Sequence, residues 1–527
     1  MTLSNLDLVI LAIYVLGLLG LAYYISREEQ GHNKDTNDYF LAGNTLPWWA
    51  IGASLIAANI SAEQIICMSG SGYAIGMAIA AYEWMAAITL LLVGKFFLPI
   101  FLKKQIYTMP QFLQQRFDNR VRTTLAIFWL AVYVFVNLTA VLWLGALAVN
   151  ALTGIDLFWS MALLALFSVS YSLYGGLKAV AFTDILQVVL LVFGGLFMSY
   201  LALDMIGAGA GVLAGFDTLL AKAPEKFDMI LSPDNPHYVS LPGISVLVGG
   251  MWVMNLSYWG FNQYIIQRTL AAKDLAEAQK GIVFAAFLKV LMPVIVVLPG
   301  IAAVLLLPDL SKPDQAYPQL LSMMPSGIKG LIFAALVAAI LSSLASMTNS
   351  VATIFTMDIY SQLKPAKSQK HYVFVGRAVS LLALGVALMT AKPLLGEFDQ
   401  AYQYIQEFTG FFTPGIVVLF FMGMFWKKTT ADAALQQQQF NSVITQGATV
   451  IVLDPVDSSA AAARVSLAQS QGVKVIAYDR PIPDKPADYY VSFDNKGIGK
   501  AIALRLGASG GNFSRIIPFS SGLLFSG

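Results

Sequence analysis

Along most of the chain the apolar residues come in runs of twenty or so, separated by short polar connections, rather than at the spacing of an amphipathic helix or strand. A run of about 20 apolar residues crosses a bilayer as a helix. Eleven such runs are readable, near 7–25, 48–70, 78–102, 121–149, 156–174, 181–203, 243–264, 281–307, 328–348, 373–391 and 403–426. The first has no basic run before it and no small-residue cleavage site, so it reads as a mature helix and not as a signal peptide. From about Leu435 the pattern changes. "ATVIVLD", a helical stretch, "VKVIAYD" and "YYVSFDN" alternate as the strands and helices of a parallel α/β sheet do. The expected fold is mostly α, a polytopic membrane protein with a small partial α/β segment at its C-terminal end.

Composition supports this reading and excludes a soluble protein. The 527 residues are 57% hydrophobic and 12% charged, whereas a soluble domain carries roughly a quarter charged residues. A net charge of +2 says nothing about partners; no nucleic-acid partner is expected. The single Cys67 excludes an internal disulfide and reads as packing. Lys and Arg concentrate in alternate connections: Arg27 and Lys34; Lys103, Lys104, Arg116, Arg120 and Arg122; Lys178; Arg268, Lys273 and Lys280; Lys364, Lys367, Lys370 and Arg377; Lys427 and Lys428. Cytoplasmic loops retain positive charge. The expected orientation therefore has the N-terminus outside and everything after residue 427 in the cytoplasm.

Several runs are interrupted by polar residues, which are costly at mid-bilayer and so mark functional positions or helix contacts. They are Asn59, Glu63 and Gln64, Glu83, Asp184, Asn255, Lys289, and Gln406 with Glu407. Two runs share a design, in "AANISAEQ" and "GGMWVMNLSYWG", where a Gly or polar residue breaks the run near its middle. Paired discontinuous helices are how inverted-repeat transporters free backbone for substrate and ion. The spacing then gives one accessory helix followed by two five-helix halves, each led by a broken helix. In "AAILSSLASMTNS" the hydroxyls of Ser342 and Ser343, on a small-residue stripe with Ala339, can face the break at Ala57 to Ile60. Serine pairs also serve as interhelical glue.

On "DYFLAGNTLPWWAIGASLIAANISAEQ", "YEWMAA", "YSLYGGLKAV", "NLSYWGFNQYIIQRTLAAK", "KGIVFAAFLK", "ILSSLASMTNS" and "AYQYIQEFTG", residues 1–430 resemble the sodium:solute symporter family, specifically its bacterial sodium/galactose and sodium/glucose members. The resemblance implies the inverted-repeat fold and sodium-coupled uptake of a hexose. It also implies that Asn59, Gln64, Glu83, Asn255, Lys289 and Gln406 contact the sugar, and that Tyr258, Trp259, Met68, Tyr82 and Tyr402 gate it. Sodium is expected between Ala57 and Ile60 on one helix and Ala339, Ser342 and Ser343 on another, with Asp184 on its exit route. Where the family pattern has Ser, this chain has Ala86. The partners implied are a small-molecule sugar, sodium and the lipid bilayer, in a bacterial inner membrane. The chain is expected to be a transporter rather than an enzyme. A membrane sugar sensor that does not transport, or an inactive chimera, are the alternative readings.

Residues 431–510 resemble part of a periplasmic sugar-binding protein of the xylose and ribose type, and 511–527 are unassigned. The family's further accessory helices are expected after residue 430 and are not read here. The motifs "AYDR" and "SFDN" carry the second resemblance, which implies that Asp479 and Arg480 would touch sugar hydroxyls. With only part of one lobe readable, sugar capture by this segment is not expected.

Overall fold

A computed structural model describes residues 3–27, 34–238, 241, 243–395, 401–426, 430–445, 448–455, 458–478, 482 and 484–491; the side chains at 62–63, 401–411, 431–435, 458–460 and 491 lie outside the description. The chain forms two compact units, Met1–Ser442 and Val443–Gly527.

The first unit is helical. Among the described residues eight helices are long and apolar enough to span a membrane, and nine if one bent pair counts as a span. The helices used below, spanning or not, are α1 (Asn5–Ser26), the bent pair α2 (Trp48–Asn59) and α3 (Ala62–Ala74), α4 (Met77–Lys103), α5 (Asn119–Thr153), α6 (Leu157–Ile206), α7 (Gly243–Phe261), α8 (Gln263–Leu270), α9 (Leu275–Leu306), α10 (Ile328–Leu363), α11 (Gln369–Leu395) and α12 (Ala401–Phe425). Fifty residues of straight helix would run far past a bilayer. The α6 helix is accordingly two helices joined at Gly176, whose φ of 63° and ψ of −154° are not helical. A Cβ there would lie 2.4 Å from the Tyr39 carbonyl oxygen, so only glycine fits. Divided at that point, the described residues hold nine spans, or ten with the bent pair, and α12, apolar over Phe412–Phe425, falls on the last expected run.

Position in the bundle follows composition. The small-residue helix α10 is the centre, with 94% of its apolar window buried, whereas α1 is outermost at 17%. The α1 helix is nonetheless anchored, because buried Asp7 accepts from the backbone N–H groups of Gly327 at 2.7 Å and Gly330 at 2.8 Å. Glycine brings α2 against α9, where a Cβ on Gly52 would lie 2.6 Å from the Gly281 carbonyl oxygen.

Both expected helix breaks exist, one of them displaced. Between α2 and α3 the backbone of Ile60 is extended, Ser61 caps α3 by accepting from the Gln64 N–H, and the axis bends by 63°. Inside "GGMWVMNLSYWG" only Gly249, its first residue, leaves helical geometry, at φ −108° and ψ −97°, within the single span Gly243–Phe261. Helix continues through Asn255 to Phe261, and the break falls at Asn262, extended at φ −75° and ψ 124°, whose side chain caps α8. Gly249 gives a local turn within the span, while an Asn able to cap supplies the start of the next helix. Two charges assigned above to connections are also inside the protein. Arg268 on α8 is fully buried, and Arg122 pairs with buried Asp358 at 2.8 Å.

The second unit holds the expected parallel sheet, in the order β1 (Val450–Leu453), β2 (Lys474–Tyr478), β3 (Tyr489–Val491). Its register pairs Val450 with Lys474 and Ile476 with Tyr489. Helix α13 (Ser458–Ser470) connects β1 to β2 and buries Ala461, Val465 and Ala468.

Candidate functional site

A cavity of about 180 Å³ lies in the first unit beside the α2/α3 break, among α4, α5, α7, α9 and α12. Its polar side is a network from three helices. Glu83 on α4 accepts from the Lys289 ammonium on α9 at 2.5 Å and from the Gln64 amide on α3. Lys289 is 1% exposed and Glu83 3%, so in a low-dielectric interior each depends on the other to remain charged. Lys289 also lies 5.2 Å from the centre of the Trp259 ring, a cation–π distance.

The second side is aromatic with amide corners. Tyr258 and Trp259 meet edge to face at 5.2 Å. The Tyr258 hydroxyl accepts from the Asn59 amide at 2.9 Å and from the Tyr264 hydroxyl at 2.7 Å. Among the described residues, Asn59 Oδ1 and Asn137 Oδ1 are buried without a hydrogen-bond partner, and both residues line the cavity. Unsatisfied buried acceptors are costly. Here they face a space that a ligand rich in hydroxyl donors would satisfy.

Of the expected sugar contacts, Asn59, Gln64, Glu83, Asn255 and Lys289 all line this one cavity, as do the expected gates Met68, Tyr82, Tyr258 and Trp259, together with Ala86. Asn255 donates to the Met251 carbonyl of its own helix at 3.0 Å. Tyr402 and Gln406 fall on α12, but their side chains lie outside the described residues, as does that of Glu63; Lys427, Lys428, Asp479 and Arg480 lie outside them altogether. Asn137, Asn262, Trp129 and Tyr264 line the cavity without having been singled out. Asn137 interrupts the apolar "YVFVNLTAV" much as Asn255 interrupts its own run, so the same signal was there to find it. It sits in a π-helical turn, Tyr133–Leu138, a distortion that recurs at functional sites.

On the other face of the α2/α3 break the Ser343 hydroxyl donates to the carbonyls of Ala58 at 3.2 Å and Ile60 at 3.4 Å. The expected carbonyl partners were Ala57 and Ile60; Ala57 and Ala339 are buried alongside. Ser342 points away from the break, donating to Asp184 at 2.6 Å. Asp184 also accepts from Ser54 at 2.5 Å. Among the described residues no three His, Cys, Asp or Glu side chains assemble into a metal cluster. The oxygens gathered at the break are those of carbonyls and hydroxyls.

Two discontinuous helices meeting at a buried, hydroxyl-matching cavity define a membrane transporter of the broken-helix kind. Residues 39–438 match the family model described as the Sodium:solute symporter family, and the chain belongs to that family. It is 55% identical over 451 residues to the Sodium/glucose cotransporter of Vibrio parahaemolyticus, covering 82% of this chain and 83% of that protein. It is 34% identical over 457 residues to the human Sodium/myo-inositol cotransporter 2, covering 81% and 67%. A solved Na+-coupled sialic acid symporter in a substrate-bound outward-open state shares the fold, with TM-score 0.72, 23% identity, and coverage of 84% of this chain and 96% of that one. The coupling ion is therefore sodium, and the architecture of two five-helix halves behind an extra N-terminal helix stands. Residues 415–520 match a model described as a Periplasmic binding protein domain.

Proposed function

We propose that the protein carries out sodium-coupled uptake of a hexose, galactose or glucose, by alternating access. The carrying observation is the cavity itself: the Gln64–Glu83–Lys289 network, two unpartnered amide oxygens and the Tyr258–Trp259 aromatic pair converge beside a helix break whose other face collects carbonyl and hydroxyl oxygens. A pyranose offers many hydroxyls and two apolar faces, and this wall answers both. In this reading Asn59, Gln64, Glu83, Asn255, Lys289 and Gln406 bind the hydroxyls. Tyr258 closes the inner side with Trp259 behind it, and Met68, Tyr82 and Tyr402 close the outer side. Sodium is held at the break by the Ser343 hydroxyl with Ala57, Ile60 and Ala339 carbonyls, Ser342 and Asp184 lying on its way inward. The substrates named for the relatives above, glucose and myo-inositol, support a polyhydroxylated ring as cargo.

The membrane is a bacterial inner membrane, with the N-terminus outside and the second unit inside. Residues 1–430 do the transport, 431–510 are a partial α/β segment with no part in capture, Asp479 and Arg480 included, and 511–527 are left unassigned. Counterflow in proteoliposomes tests the reading: labelled galactose or glucose should exchange against internal unlabelled sugar, and accumulate only with an inward sodium gradient. Binding without exchange would make the protein a sensor instead.

A further inference from the structure

Beneath the cavity lies a buried cation that the reading above does not use. Arg268 on α8 is fully buried. Its Nε donates to the Ser54 hydroxyl of α2 at 3.0 Å, one terminal nitrogen donates to the Tyr264 carbonyl, and the other donates to the Ser346 hydroxyl of α10. The Asp184 carboxylate of α6 is 4.0 Å away. One guanidinium thus joins the inner half-helix to three further helices.

What those helices carry gives the contact its meaning. Ser54 and Ser342 both donate to Asp184. Ser342 immediately precedes Ser343, whose hydroxyl meets the carbonyls at the α2/α3 break, and Ser346 lies one helical turn from Ser342 on the same face. In the other direction, Tyr264 donates through its hydroxyl to Tyr258, which accepts from Asn59 at the cavity. A hydrogen-bonded chain therefore runs from the sugar wall through Tyr258, Tyr264, Arg268 and Ser54 to Asp184 and the serines of the ion side.

We propose that Arg268 is the positioning residue through which sodium and sugar binding are coupled. The inference rests on the transport reading above. Its physical basis is that a buried guanidinium and a buried carboxylate are each too costly to leave alone. Movement of α8 either draws Ser54, Ser346 and Asp184 with it or strands both charges. The inner half-helix and the sodium-side helices consequently shift together, and each ligand biases the same element. Arg268 touches neither sugar nor ion and acts by holding that element as one body.

Linkage supplies the test, since coupling is the factor by which sodium raises sugar affinity, typically 5- to 150-fold. Equilibrium binding of labelled galactose and glucose to the purified full chain is measured with sodium and with choline, in wild type, Arg268→Gln and Ser346→Ala. Arg268→Gln should bring the factor to within about twofold of one, while affinity in choline stays within about threefold of wild type. Ser346→Ala, a small change suited to a case where Arg268→Gln does not insert, should lower the factor severalfold. Arg268→Lys, which keeps the charge, should restore part of it. A wild-type factor retained in Arg268→Gln, or in Ser346→Ala where that is the variant recovered, overturns the proposal, as does a fall in sugar affinity that is equal with and without sodium. Wild type with no sodium effect on sugar binding would instead sink the transport reading on which it rests.

Discussion

Lys289 and Glu83 form an ion pair 2.5 Å across with both side chains almost wholly buried, and it joins α9 to α4 on the polar side of the cavity. Removing one partner leaves the other charged and dry, a loss of about 3–5 kcal/mol for buried pairs. Lys289→Met should therefore cost more stability than the double change Lys289→Met with Glu83→Gln, although the double change removes more polar groups. Thermal unfolding of the purified chain, followed by size-exclusion chromatography, reads the order. A single variant as stable as the double would mean that the pair is not charged.

The unpartnered oxygen of Asn137 makes a prediction of the opposite sign for stability. Replacing it with Leu, similar in size, removes a buried acceptor that has no donor among the described residues, so stability should hold or rise. If that oxygen serves the sugar, affinity should fall by about 1–3 kcal/mol, roughly 5- to 150-fold. Gln64→Ala should fall within the same range. Unchanged sugar affinity in Asn137→Leu would take α5 out of the site.

How much of this was readable in the chain depended on what a residue's neighbours in sequence could tell. Glu83, Lys289, Gln64 and Asn59 are polar groups in apolar runs, and the cost of placing them there marks them whatever surrounds them. The break expected near the middle of "GGMWVMNLSYWG" is divided between a local turn at Gly249 and a helix end at Asn262, which in sequence looks like an ordinary polar end. The deciding fact, an Asn side chain capping the next helix, is local but weak in sequence. Arg268 was taken for a loop charge because it stands near Lys273 and Lys280. Its partners Ser54, Ser346 and Asp184 lie far away in the chain and only the tertiary fold brings them together. The sheet of the second unit was legible from alternation alone, since its strands are short and one face is buried.

Sodium activation should depend on Ser343 more than on Ser342. Ser343 faces the carbonyls at the break, whereas Ser342 faces Asp184. Ser343→Ala should raise the sodium concentration for half-maximal uptake by about tenfold or more while leaving membrane insertion intact. Ser342→Ala should shift it less. Uptake assayed across a sodium series in proteoliposomes reads both, and an unshifted curve for Ser343→Ala removes the hydroxyl from the ion site.

In the second unit, Asp488 accepts from the Val475 N–H at 2.9 Å and from Lys474 at 2.9 Å. These contacts, the backbone bond first, draw its carboxyl down from the usual 3.8 to about 2. A lowered folded value means the contribution is present above pH 4 or so and is lost as pH falls toward 2. In the full chain, pepsin cleavage within residues 450–491 should increase from pH 4 to pH 2 relative to Asp488→Asn, in which the contacts are already weakened. Parallel pH responses in the two proteins would show that this carboxylate does not hold the sheet edge.

Deleting the second unit should leave transport intact, and the place of the cut decides whether the test is fair. Helix Ala431–Thr445 belongs mostly to the first unit, which extends to Ser442. A Cβ on Gly415 of α12 would lie 2.7 Å from Gln438 of this helix. Ending the chain at Thr430 would strip that contact from α12, a helix on which the cavity residues Phe412, Thr413 and Ile416 lie, and a loss of transport would then say nothing about the sheet. Ending it after Thr445 removes β1, β2, β3 and α13 and retains the helix. The edge strands β1 and β3 of a short parallel sheet invite pairing with another chain, so the shortened chain should express at least as well as the full one. Its galactose and glucose uptake curves should overlay those of the full chain. A changed sugar profile in the Thr445 truncation would mean that the sugar-binding-protein-like segment takes part in transport.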